Sequence, residues 1–121
     1  MAVRILIVED DFLLATAVEG FLASAGHEIV GLAPDHATAV AAARRHRPDL
    51  VLMDVQLARG SSGIAAALEI YEETGVRSLF LTATADEALR RRARAARPLG
   101  WLAKPYDAAA LLAAVAARET A

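Results

Sequence analysis

At 121 residues the chain has the length of one domain, and 56% of it is apolar, enough to bury a core. Cysteine is absent, which excludes disulfides, thiolate metal sites and cysteine nucleophiles and leaves chemistry to carboxylates, hydroxyls, lysine or histidine. A formal net charge of −2 gives no overall pull toward nucleic acid; no apolar run approaches a spanning helix and no signal core follows a basic N-terminus, so a soluble, cytoplasmic protein is expected.

Val3 to Val8 is a short apolar run, rich in β-branched residues and ended by acids, the pattern of a strand buried on both faces. From Phe12 to Ala25 apolar residues recur at helical spacing, with Asp11 at the N-cap position and Gly26 where a left-handed residue ends a helix. The alternation continues with strand Glu28 to Ala33, helix Asp35 to His46, strand Leu50 to Met53, helix Ile64 to Glu73 stopped by Gly75, and strand Val76 to Leu81. Thr84 and Glu87 have capping-box spacing before a helix to about Ala96. Leu99 to Ala103 follows Pro98 as a strand, and Asp107 can cap a last helix to Arg118.

Strands and helices in this alternation predict an α/β protein with a parallel sheet and helices on both faces, because each right-handed crossover returns the chain to the same sheet. Five strands suit an open flavodoxin-like (βα)5 three-layer sandwich in the order 2-1-3-4-5, which binds ligands beyond the carboxyl ends of its strands. With no composition shift, linker or repeat, residues 1–121 read as a single domain without an output domain.

Polar residues collect at those strand ends: Glu9, Asp10 and Asp11 after the first strand, Asp54 after the third, Thr82 after the fourth and Lys104 after the fifth. Neighbouring strands lie about 4.8 Å apart, so Asp10 and Asp54 can share a cation that offsets their repulsion. An open site of two hard carboxylates suits Mg2+, which keeps several waters. A carboxylate beside such a cation can attack phosphorus, with Lys104 neutralising one phosphoryl oxygen and Thr82 donating a hydrogen bond to another.

The segments Ile5-Leu6-Ile7-Val8-Glu9-Asp10-Asp11, Pro48-Asp49-Leu50-Val51-Leu52-Met53-Asp54, Leu81-Thr82-Ala83 and Gly100-Trp101-Leu102-Ala103-Lys104-Pro105 together resemble the receiver domains of two-component response regulators, of the stand-alone CheY-like type, over essentially the whole chain. The resemblance implies that Glu9 and Asp10 are the acidic pair, Asp54 the phosphoacceptor, Thr82 the switch hydroxyl and Lys104 the phosphate-binding lysine. It also implies a cis Lys104-Pro105 peptide, a main-chain carbonyl of Gln56 in the magnesium shell, tuning of phosphoryl lifetime by Gln56 and Thr84, and access kept open by small Ala83. The donor would be a histidine kinase or a histidine phosphotransfer protein, and the acceptor would carry a phosphorelay signal. Three departures stand out. Trp101 replaces the family's usual switching tyrosine or phenylalanine, and its bulk puts that aromatic motion in question. The loop Leu57 to Gly63 lacks the usual proline and reads one residue longer. Arg90, Arg91, Arg92 and Arg94 crowd the fourth helix, part of the face through which receivers meet partners or one another, and point to an acidic downstream protein, with homodimerisation left open.

Plainer readings account for other residues. Asp11 fits a helix cap better than a metal ligand, and His27, His36 and His46 lack ligand spacing. The arginine run lacks interleaved aromatics and reads as a solvated face rather than a nucleic-acid site. Two rival functions remain: an adaptor of the same fold that does not use phosphorylation, and a magnesium phosphatase that forms an aspartyl phosphate. Against the second, Gln56 stands where such enzymes carry a second aspartate as general acid.

Overall fold

In the computed structural model, which describes residues 2–84 and 86–118, alternate residues of the first strand part to opposite faces of one sheet. Ile5 and Ile7 of β1 (Arg4–Val8) enter a core with Leu22 of α1 (Phe12–Ser24) and Leu111 of α5 (Ala108–Ala117), while Leu6 and Val8 enter a second core with Val40 of α2 (His36–His46) and Ile70 of α3 (Gly63–Thr74). This period of two, with both faces apolar, is why the central strands read as unbroken hydrophobic runs. The remaining elements are β2 (Glu28–Ala33), β3 (Leu50–Asp54), β4 (Ser78–Thr82), α4 (Glu87–Ala93) and β5 (Gly100–Ala103), with 3-10 turns at Ala58–Gly60 and Arg94–Ala96. All strand pairs are parallel and the order is β2-β1-β3-β4-β5, as expected. Among the described residues, no helix is long and apolar enough to cross a membrane.

The ends of several elements differ from the sequence reading. β3 runs one residue further, so Asp54 is its last residue and pairs with Leu81. β4 begins at Ser78, not Val76, and includes Thr82. The capping box at Thr84 does not form: Asp86 caps α4, its carboxylate accepting from Leu89 N–H at 2.8 Å, and an aspartate at this position is as good a cap as a threonine. Asp11, Asp35 and Asp107 cap α1, α2 and α5 in the same manner, and Ser62 caps α3.

Two crossovers end alike. Arg47 and Arg97 both take a left-handed conformation, φ 45° and 51°, immediately before a proline, which disfavours the helical region for the preceding residue. Arg4 donates to the Arg47 carbonyl at 3.0 Å and Arg77 to the Arg97 carbonyl at 2.6 Å, satisfying groups that the helix ends leave open.

Candidate functional site

Register delivers the acids to one place. Val8 pairs with Met53, so Glu9 and Asp10 leave β1 beside Asp54 at the end of β3. Thr82 pairs with Ala103 and is followed across the sheet by Lys104. Glu9 and Asp54 are buried, 7% and 5% exposed, whereas Asp10 is exposed. Oxygens of the three carboxylates lie within 4.8 Å of one another.

Hydrogen bonds hold this cluster against its own repulsion. Lys104 Nζ donates to Asp54 Oδ2 at 2.7 Å and stands 3.6 Å from Glu9 Oε1, and the Gln56 N–H donates to Asp54 Oδ1 at 3.1 Å. Asp11 N–H donates to Glu9 Oε2 at 3.1 Å. Burial, aided by the neighbouring Asp54 carboxylate, still pushes Glu9 up from 4.5 to about 7 despite that amide. For Lys104, burial acts downward, but the bond to Asp54 and the surrounding carboxylates outweigh it and hold the ammonium above its ordinary range.

The donor set fits a hard divalent cation. Glu9 Oε1 is buried with no hydrogen-bond partner, an expensive condition for a carboxylate oxygen, and a cation between the acids would satisfy it.

Thr82 is directed elsewhere than at Asp54. Its hydroxyl donates to the Thr84 carbonyl at 2.7 Å and accepts from the Thr84 N–H at 3.2 Å, a local loop closure. Ala83 and Thr84 are exposed and line the cleft above Asp54, together with Gln56. The Lys104-Pro105 peptide is cis, as the resemblance implied. Trp101 is half-buried: its ring stacks on the fully buried Phe80 with centroids 4.7 Å apart, and the Arg90 guanidinium lies 5.2 Å from its centroid. Arg91 and Arg94 are exposed on the same helix.

Three residues escaped the sequence reading. Gly63 packs so closely under Asp54 that a Cβ there would overlap the Asp54 carbonyl; a glycine opening a helix was the available signal. Tyr106 places a buried hydroxyl without a hydrogen-bond partner near the acids, and burial raises its phenol above the ordinary range. Arg92, counted only among the α4 arginines, lines the cleft that holds Asp54. His36, given no chemistry, bonds Glu69 at 2.8 Å and ties α2 to α3, alongside Arg44 and Glu73 at 2.6 Å.

A family model for the response regulator receiver domain matches residues 5–116. The chain is 40% identical over 112 residues to the transcriptional regulatory protein PdtaR of Mycobacterium tuberculosis, covering 93% of this chain and 54% of PdtaR. It is 32% identical over 116 residues to the chemotaxis protein CheY of Bacillus subtilis, covering 95% of this chain and 96% of CheY. The signal receiver domain of a modulated diguanylate cyclase from Desulfovibrio desulfuricans superposes with a TM-score of 0.86 at 30% identity, over 99% of this chain and 96% of that one. The chain thus spans about half the length of PdtaR and nearly all of CheY.

Proposed function

The chain belongs to the response regulator receiver domain family, and we propose that it is a phosphorylation-dependent signalling switch that takes a phosphoryl group from phosphohistidine onto Asp54. The observation that carries this reading is a buried Asp54 carboxylate with Lys104 on one oxygen and the Gln56 amide on the other, open to a cleft. Glu9, Asp10 and Asp54, with the main-chain carbonyl of Gln56, would hold Mg2+, whose charge would offset that of the incoming phosphoryl group.

Asp54 attacks phosphorus in line, exchanging a P–N bond to the donor histidine for a P–O bond. Lys104 then moves its pairing from the carboxylate to a phosphoryl oxygen. A phosphoryl group brings about two negative charges and can take about one to three charge-assisted hydrogen bonds. Thr82 is one source, and to supply it the hydroxyl must leave the Thr84 carbonyl, which loosens the segment leading to α4. The fold change in shape is small, but α4 and β5 carry the partner face, and a shift in the population of two loop arrangements is enough to report the charge. Gln56 and Thr84, at the mouth, govern the access of water that later removes the group.

Phe12 and Leu13 support a protein donor. They are 72% and 80% exposed at the start of α1, directly after the acidic segment, where a histidine kinase or phosphotransfer protein reaching Asp54 would cover them. The exposed Arg90, Arg91 and Arg94 favour an acidic downstream protein.

Incubation with Mg2+ and acetyl phosphate tests the reading by mass. A gain of about 80 Da that disappears in Asp54→Ala supports it. No gain under those conditions leaves the adaptor function, and steady turnover of ordinary phosphomonoesters would restore the phosphatase.

A further inference from the structure

A cleft of about 700 Å³ opens at Asp54. Asp54, Thr82 and Lys104 form part of its lining, but neither Glu9 nor Asp10 does. Leu57 contributes from the loop after β3, and Leu89 and Arg92 contribute from α4. A space of this size is on the scale of sites that take small organic ligands, roughly 300–1,000 Å³. One phosphorus and three oxygens fill a small part of it. The remainder has room for the group that carries the phosphoryl before transfer, against apolar leucines and a cation.

The α4 arginines are therefore not equivalent. Arg90 lies over Trp101, Arg91 is exposed and outside the cleft lining, and Arg92, exposed as well, lines the cleft with its side chain in no hydrogen bond or ion pair among the described residues. An unpaired guanidinium lining the cleft that holds Asp54 is a fork for a planar anion, and a carboxylate matches it with two parallel hydrogen bonds.

We propose that Arg92 is a donor-selecting residue, which favours acyl phosphates over phosphoramidate by binding the carboxylate that departs. This rests on Asp54 as the acceptor. In the step, an oxygen of the Asp54 carboxylate bonds to phosphorus while the bond from phosphorus to the bridging acyl oxygen breaks. The electron pair leaves with that oxygen. A carboxylate and an acyl phosphate become an aspartyl phosphate and a carboxylate, with charge conserved and no proton moved. Negative charge grows on the leaving oxygen as the bond breaks, so a guanidinium there favours the transition state. Phosphoramidate, by contrast, releases ammonia, which is not an anion and gives the fork nothing to hold.

The test follows the rate of mass gain at Asp54 with Mg2+, using acetyl phosphate and phosphoramidate separately, for the parent chain, Arg92→Ala, Arg92→Lys and Arg45→Ala, the last an exposed arginine of α2 outside the cleft lining. Circular dichroism verifies that each variant is folded. Arg92→Ala should slow acetyl phosphate roughly tenfold and phosphoramidate less than about twofold, the loss of one charged hydrogen-bonding partner. Arg92→Lys should fall between, keeping the charge but losing the fork, and Arg45→Ala should match the parent. An equal loss with both donors would mean that Arg92 holds the phosphoryl group instead, and would overturn the inference; so would no loss with either, or an equal loss in Arg45→Ala. A parent chain that gains no mass from either donor removes the Asp54 reading itself, and this inference with it.

Discussion

Lys104 and Asp54 are joined by a 2.7 Å hydrogen bond across the carboxyl end of the sheet, from a lysine at the end of β5 to the last residue of β3. The lysine sets a positive charge beside three clustered carboxylates, bonded to one Asp54 oxygen and 3.6 Å from Glu9. The pair is thus a structural clasp and, on the proposed function, the contact that phosphorylation would rearrange.

Lys104→Met should accordingly cost stability. The substitution leaves Asp54 and Glu9 buried without their cation, and a loss of about 1–3 kcal/mol at pH 8 is expected from urea denaturation. At pH 5, where Glu9 carries a proton, the loss should shrink. An unchanged midpoint at both pH values would refute the clasp.

Glu9 should make metal-free stability depend on pH near neutrality. Its folded value of about 7 lies above its ordinary 4.5, so between those values the folded chain holds a proton that the unfolded chain has released. That contribution is fully present below pH 4.5 and is lost as pH rises through about 7, with a size on the order of 1–3 kcal/mol. Denaturation with a chelator present at pH 5 and pH 8 should show the fall, and Glu9→Gln should flatten it. For the same reason Mg2+ affinity should rise with pH through about 7, with proton release measurable by calorimetry in two buffers.

Gly63→Ala should disturb Asp54 without touching any charge. A methyl group there overlaps the Asp54 carbonyl, so the start of α3 or the end of β3 must move, at about 1–3 kcal/mol. Thermal denaturation gives the stability loss. The rate of phosphorylation should fall in the same variant while Gly20→Ala, with open space around it, leaves that rate unchanged.

The Phe80–Trp101–Arg90 stack provides an optical report from the chain's single tryptophan. Arg90→Ala uncovers the outer indole face, so emission should shift to the red, with a stability loss of about 0.5–1 kcal/mol. If Trp101 stays stacked when Asp54 is phosphorylated, emission of the parent chain should change little on phosphorylation. A large red shift on phosphorylation would show that the indole swings outward despite its stacking.

Much of this architecture follows from local sequence alone. The strand runs and the aspartate caps of α1 and α5 announce themselves within a few residues, because burial on both faces and capping are short-range demands, although the sequence pointed to Thr84 where Asp86 caps α4. Five such units leave few topologies that obey right-handed crossover, so even the strand order was legible. The gathering of Glu9, Asp10, Asp54 and Lys104 followed from their places at strand ends. Side-chain partners across the fold did not. Thr82 turns to its own loop, Arg92 lines the cleft at Asp54 while Arg90 covers Trp101, and Gly63 is required by a backbone that approaches from nine residues away. Periodicity assigns a residue to an element and a face, but which group it meets there depends on how the packed helices are placed over the sheet, and that is settled only when the whole core closes.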